Sequence, residues 1–238
     1  MSYHNGPKIV SEALVFYWDG MNVNSWNGSS STHYDLVSGN TGSFSGAGTL
    51  TRSSNHVLFT PNPTASTNTA IISFPSANIT VPTGTVGSWS WWHNYTTGAS
   101  ADAPNFSKET GGVWSGVNGF VMGTGYGTDG LRAGIGGVEY YLPNLSGRYY
   151  NYNVWENYTV TFLQYGTIKV YVNGALSYTI NNPTQLIGSN SNALIIGGTN
   201  ARGGNWRGYM DCVAMWVKEL SANEVLNFYN STRGRFGL

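Results

Sequence analysis

The sequence predicts an all-β protein, an antiparallel two-sheet sandwich with one short helix near the C-terminus. Three observations predict it. Gly, Asn, Ser and Thr together form 45% of the 238 residues, and all four are poor helix-interior residues. Hydrophobic residues still reach 40%, and 14% of the chain is aromatic, too much for a disordered chain and rich in the Tyr and Trp that suit strands. Short apolar stretches also recur along the chain, separated by turn-forming residues, as in an all-β fold. The length suits one large β domain that needs no disulfide or metal to fold.

The elements follow in chain order. Leu14-Val15-Phe16-Tyr17-Trp18 is the first clear strand, and Tyr34-Asp35-Leu36-Val37 the next. Residues 38–55 are rich in Gly, Ser, Asn and Thr and read as loops and turns. Ala70–Phe74 is a strand stopped by Pro75. In residues 88–95, Trp89, Trp91, His93 and Tyr95 share one face, while Ser88, Ser90 and Asn94 lie opposite with Trp92. That alternation marks a half-buried strand. Residues 96–112 read as a polar loop. Strands follow at Gly119–Gly123, Leu131–Ile135 and Val138–Leu142.

The strongest hairpin spans 155–180. Tyr158, Val160 and Phe162 alternate with Thr159, Thr161 and Leu163, and Ile168, Val170 and Val172 alternate with Lys169 and Tyr171. Asn173-Gly174 is a preferred type I′ turn dipeptide, leading into Ala175–Ile180. Ala193–Gly197 and Tyr209–Val217 are the last strands. Ser221-Ala222-Asn223-Glu224 is a capping box, and Val225, Phe228 and Tyr229 then recur at helical spacing. The helix is expected over about 221–230. Trp18, Trp89, Trp91 and Trp216 alternate on strands and are expected in the core. With no internal repeat and no linker, residues 13–238 read as one domain preceded by an extended arm at 1–12.

Composition excludes several functions. Only 9% of residues are charged and the net charge is zero, so no basic stripe serves a phosphate backbone and nucleic-acid binding is not expected. No apolar run approaches a membrane span. The opening MSYHNGPKIV lacks the charged-then-apolar signal pattern, so synthesis in a cytoplasm is expected. Cys212 is the only cysteine, which excludes intrachain disulfides and cysteine-cluster zinc sites. No HExxH, GxSxG or P-loop pattern is present.

From Trp155 onward the pattern resembles a known family. Trp155-Glu156-Asn157-Tyr158-Thr159-Val160-Thr161 with Ile168-Lys169-Val170-Tyr171-Val172-Asn173-Gly174 is similar to the hairpin of laminin-G-like, concanavalin A-like jelly rolls. Leu194-Ile195-Ile196-Gly197-Gly198, and Gly208-Tyr209-Met210-Asp211 through Trp216 to Leu220-Ser221-Ala222-Asn223-Glu224-Val225, resemble later strands and the ending of that family, and Gly87–His93 an earlier strand. The ends, Gly6-Pro7-Lys8-Ile9-Val10 with Ala13–Asp19, Ser25-Trp26 and Tyr34-Asp35-Leu36, and Asn227-Phe228-Tyr229-Asn230 with Arg233-Gly234-Arg235-Phe236, resemble virion structural proteins of tailed phages, cyanophages among them.

The resemblance implies a two-sheet jelly roll and a non-enzymatic virion protein, a capsid decoration or head-fibre-like component made in the host cytoplasm. Its partners would be other virion proteins and copies of itself. The alternative is a carbohydrate-binding adhesin or tail module for host surface glycans. An enzyme is disfavoured. Glycoside hydrolysis needs two carboxylates flanking the bond, and the E-x-D-x-x-E strand signature of jelly-roll glucanases is missing.

Glycan faces stack on aromatics, which makes loop residues Trp26, Trp114, Tyr126, Tyr149, Tyr150, Tyr152 and Trp206 the candidate contacts. The competing reading packs them under loops or between subunits. Calcium, which takes oxygen ligands, is the cofactor that Asp19, Asn22 and Asp211 would suit. The competing reading has Asp19 and Asp35 capping turns and Asp211 pairing with an arginine such as Arg207.

Overall fold

The computed structural model describes residues 9–53, 56–60, 70–76, 79–96, 103–110, 116–124, 131–141, 153–199 and 207–238. Two eight-stranded antiparallel sheets face each other. The first contains β1 (Leu14–Trp18), β4 (Thr49–Arg52), β5 (Val57–Thr60), β7 (Val86–Tyr95), β12 (Trp155–Leu163), β13 (Thr167–Val172), β14 (Ala175–Asn181) and β16 (Gly208–Trp216). Its order is β14-β13-β12-β7-β16-β5-β4, with β1 paired to β16. The second contains β2 (Thr32–Tyr34), β3 (Thr41–Ser45), β6 (Ile71–Phe74), β8 (Ala103–Lys108), β9 (Phe120–Thr124), β10 (Leu131–Ile135), β11 (Val138–Tyr141) and β15 (Leu194–Ile196). Its order is β11-β10-β9-β8-β15-β6-β3-β2.

The core between the sheets is aromatic. Trp18, Trp89, Trp91, Phe59, Phe74, Phe106 and Phe120 are fully buried there. Phe16 meets Phe74 edge-on at 5.1 Å, and Trp91 meets Phe106 likewise at 5.1 Å. Such edge contacts suit the ring quadrupoles. Asn173 and Gly174 both take positive φ (51° and 80°) between β13 and β14, as a type I′ turn requires.

A second apolar layer covers the outer face of the first sheet. Helix α1 (Ala222–Thr232) is fixed at its start by the expected capping box, with Ser221 N–H donating to the Glu224 carboxylate at 2.8 Å and Glu224 N–H to Ser221 Oγ at 3.3 Å. Val225 and Phe228 pack onto Trp92, Trp216, Tyr17 and Tyr171. Trp216, expected in the core, is fully buried in this layer, edge-on to Phe228 at 5.3 Å, and its indole N–H donates to Val10 O at 2.8 Å. Trp92 shares its strand face with Ser88, Ser90 and Asn94 as the alternation predicts. It is buried because the helix and the turn after it lie over that face. Its indole N–H donates to Thr232 Oγ1 at 2.8 Å, and its ring stacks on Phe236 at 4.3 Å. Of the expected arm, Ile9 and Val10 pack against this layer.

Three expectations are corrected. Residues 38–55, read as loops, contain β3 and β4, whose Thr, Ser and Gly side chains leave no apolar run but whose backbones pair with β6 and β5. Residues 96–112, read as a polar loop, contain β8, held between β9 and β15. The strand expected at 34–37 ends at Tyr34. Asp35 turns the chain there, accepting the N–H groups of Tyr17 (2.9 Å), Val37 (3.0 Å) and Ser38 (3.1 Å).

Candidate ligand-binding surface

One row of residues crosses the outer face of the first sheet. The register pairs Trp155 of β12 with Asn94 of β7, Asn94 with Tyr209 of β16, and Tyr209 with Leu58 of β5. Paired residues in adjacent strands point to the same side, and His56 lies two residues before Leu58, so it shares that side. The rings close on one another. His56 and Tyr209 are 4.2 Å apart edge-on, His56 and Trp155 5.4 Å, and Trp155 and Tyr209 6.0 Å. Phe236, from the 3-10 turn Arg233–Phe236, flanks Trp155 at 4.4 Å. His56, Trp155, Tyr209 and Phe236 are all half-buried, so part of each ring faces outward. Asn94 lies between Trp155 and Tyr209 in the row, is 8% exposed, and its Oδ1 accepts no hydrogen bond among the described residues. Burial pushes the His56 pKa down, so this platform is uncharged near neutral pH.

One row further along β16 lies a buried charge cluster. The register of β16 against β7 shifts between Asp211 and Ala214, and Cys212 takes a left-handed φ of 49°. A bulge of this kind re-aims consecutive side chains; here both Asp211 and Cys212 reach the guanidinium of Arg235. Arg235 grips Asp19 with both nitrogens, at 2.7 and 2.9 Å, and reaches Asp211 Oδ2 at 3.3 Å and Cys212 Sγ at 3.1 Å. Asp211 Oδ1 also accepts the N–H groups of Gly20 and Cys212, each at 2.9 Å. Burial and the neighbouring Asp19 charge push Asp211 up to about 7, against the pull of Arg235 and the two N–H groups.

This geometry answers the calcium expectation. Carboxylate and thiol atoms of Asp19, Asp211 and Cys212 lie within 4.8 Å of one another. A calcium ion takes six to eight oxygens, whereas this set offers two carboxylates and a sulfur already bridged by a guanidinium. The Asn22 side-chain oxygen is engaged locally, its Oδ1 accepting Asn24 N–H at 2.9 Å. The residues do not fit calcium. Asp19 caps a turn as the competing reading held, accepting Met21 and Asn22 N–H at 3.0 and 3.1 Å. The arginine paired with Asp211 is Arg235 rather than Arg207.

Of the expected glycan contacts, Trp26 is corrected. It is 3% exposed, stacks on His33 at 5.1 Å and donates its indole N–H to Ser30 O at 2.7 Å. No ring face is left for a sugar. Trp114, Tyr126, Tyr149, Tyr150, Tyr152 and Trp206 lie outside the described residues. The platform residues His56, Asn94, Trp155, Tyr209 and Phe236 are ones that sequence reasoning missed. The available signal was an aromatic at the outward position where β12 and β16 begin. A separate depression of about 480 Å³ beside α1 is lined by Tyr171, Leu176 and the Lys169–Glu219 ion pair (2.7 Å). Tyr171 is almost wholly buried there, so this depression lacks an open ring face.

Comparison with known proteins gives a family. Residues 66–226 match the profile of a laminin-G-type family described as the concanavalin A-like lectin/glucanases superfamily. Among solved structures, the binding domain of Paraclostridial Mosquitocidal Protein 1 is similar at 15% identity and TM-score 0.66, over 92% of this chain and 52% of that one. Domain 4 of AbnA, an extracellular arabinanase from Geobacillus stearothermophilus, solved with arabinotriose, is similar at 15% identity and TM-score 0.62, over 91% of this chain and 98% of that one. The botulinum neurotoxin serotype D ligand-binding domain, solved with N-acetylneuraminic acid, is similar at 12% identity and TM-score 0.65, over 92% and 50%. The chain thus spans about half the length of the two toxin domains. At these identities the likeness is one of fold. No curated protein sequence matches the chain.

Proposed function

The chain belongs to the concanavalin A-like lectin/glucanases superfamily, and from that premise we propose that it is a non-enzymatic carbohydrate-binding module. The observation that carries the reading is the half-buried aromatic platform of His56, Trp155 and Tyr209. Apolar sugar faces pack on aromatic rings, and a few polar groups fix orientation, the usual composition of a small-ligand site. The similar folds solved with arabinotriose and N-acetylneuraminic acid support the reading. So does the state of Asp19 and Asp211. Both are bound to Arg235 and unavailable as the acid and base of glycoside hydrolysis.

The test is a glycan array and calorimetry with host-surface polysaccharides. Binding by the wild type that falls at least tenfold in Trp155→Ala and Tyr209→Ala is expected. Silence across the array, or variants that bind as the wild type does, overturns the proposal.

A second reading sets this module on a virion surface, as a decoration or fibre-like component that contacts other virion proteins and its own copies. The two ends that resemble tailed-phage virion proteins favour it. Arg235–Asp19 joins the two ends directly, and Trp216–Val10 and the Lys218–Glu12 pair at 3.0 Å tie the first end to β16 and the chain after it. Mass spectrometry of purified particles tests it, and absence of the protein from them sinks it.

A further inference from the structure

We propose that Arg235 stands in for a divalent cation between Asp19 and Asp211, and that it is thereby the positioning residue of the aromatic platform. The second half rests on the binding function proposed above; the first does not.

Two carboxylates this close need a proton or a positive charge between them. A guanidinium supplies it with a planar fork that matches a carboxylate edge. Here the fork closes on Asp19 at 2.7 and 2.9 Å and reaches Asp211 at 3.3 Å. Each carboxylate is completed by backbone N–H donors, Met21 and Asn22 for Asp19, Gly20 and Cys212 for Asp211. The donors left to a metal are one sulfur and oxygens already engaged, which suits no hard cation.

Who supplies the charge has a structural consequence. A metal would bind the loop after β1 to β16 and leave the C-terminal turn free. Arg235 carries the turn with it. The next residue, Phe236, stacks on Trp92 at 4.3 Å and flanks Trp155 at 4.4 Å. Breaking the clamp therefore releases the ring that walls Trp155, and with it the angle at which Trp155 faces Tyr209.

Thermal unfolding of the wild type is compared in excess EDTA and in millimolar calcium chloride, alongside Arg235→Ala and Arg235→Lys in both buffers. The wild-type Tm is expected to be the same in both. Arg235→Ala should lose about 10 °C, the size expected for opening a buried ion pair in a chain of this length. Arg235→Lys should recover part of that loss by restoring the charge without the fork. Near-ultraviolet circular dichroism of the tryptophans, read well below each Tm, should change in Arg235→Ala and return toward wild type in Arg235→Lys.

A wild-type Tm that falls by several degrees in EDTA overturns the substitution, and this arm needs no variant to fold. An Arg235→Ala protein with the wild-type tryptophan signal overturns the positioning role. Wild-type binding to no glycan refutes the proposed function alone, because the Tm arms still decide the cation question. If glycans bind, affinity should fall at least tenfold in Arg235→Ala and in Phe236→Ala; unchanged affinity in both overturns the positioning role.

Discussion

Acid should destabilise this fold through two buried histidines, and the size of the effect can be worked out. His33 Nδ1 accepts the indole N–H of Trp18 at 3.3 Å, and His93 Nδ1 accepts that of Trp91 at 3.2 Å. A proton on either Nδ1 would face a donor with a donor. Burial pushes His33 down to about 4 and His93 to about 3. An unfolded histidine titrates near 6.5. The folded state disfavours the cation, so the stability these residues contribute is complete above pH 6.5 and is lost as pH falls from there toward the folded values.

At pH 5 both folded values lie below the solution pH, so the loss depends only on the unfolded pKa. It is roughly 2 kcal/mol per histidine, roughly 4 together, a large share of the 5–15 kcal/mol of a typical domain. Asp211 acts with the opposite sign. Its raised pKa of about 7 means that protonating it favours the folded state as pH falls from 7 toward its unfolded value near 4. The raw pH slope therefore mixes the two, and the histidine part is isolated by difference. Urea unfolding followed by tryptophan fluorescence at pH 7.5 and 5.0 is run on wild type, His33→Gln and His93→Gln. Each variant should lose about 2 kcal/mol less than wild type between the two pH values. Variants that lose as much as the wild type would refute the reasoning.

Two further outcomes are expected. Cys212 is fully buried and its thiol is pushed up by burial and by the neighbouring carboxylates, so Ellman's reagent should label it only in denaturant; rapid labelling of the native protein would contradict this environment. Gly119→Ala should be among the most damaging single changes, at about 3 kcal/mol or more, because a Cβ there would lie 1.8 Å from the Lys108 carbonyl oxygen; a melting temperature equal to wild type would contradict the close approach.

What was legible in the sequence was what is local. The capping box at Ser221, the Asn173-Gly174 turn and the alternating strand at 88–95 each depend on residues within one turn or one pleat of each other, and each is present, although the strand read as half-buried is buried on both faces. The failures are long-range. β3 and β4 contain few apolar residues, and it is their partners β6 and β5 that make them strands. Trp26 sits in an Asn- and Ser-rich stretch that looks exposed. What buries it comes from afar, His33 against its face and Arg52 donating to its carbonyl at 3.2 Å. The platform was unreadable for the same reason, because its members stand at positions 56, 94, 155, 209 and 236, and only the sheet register and the docked C-terminal turn bring them together.

The low charge content then acquires a second meaning. Of the few charged residues, Asp19, Asp211 and Arg235 are spent on one internal clamp, and Arg132–Glu139, Lys169–Glu219 and Lys218–Glu224 on further pairs. The proposed recognition surface is left to aromatic rings. A platform of this kind offers no counter-charge to a phosphate or sulfate. Binding there should consequently be nearly independent of ionic strength, since only charge-driven association is screened by salt. Affinity measured at 0.05 and 0.5 M sodium chloride decides the point, and a tenfold loss at the higher salt would shift recognition away from this platform to the arginines.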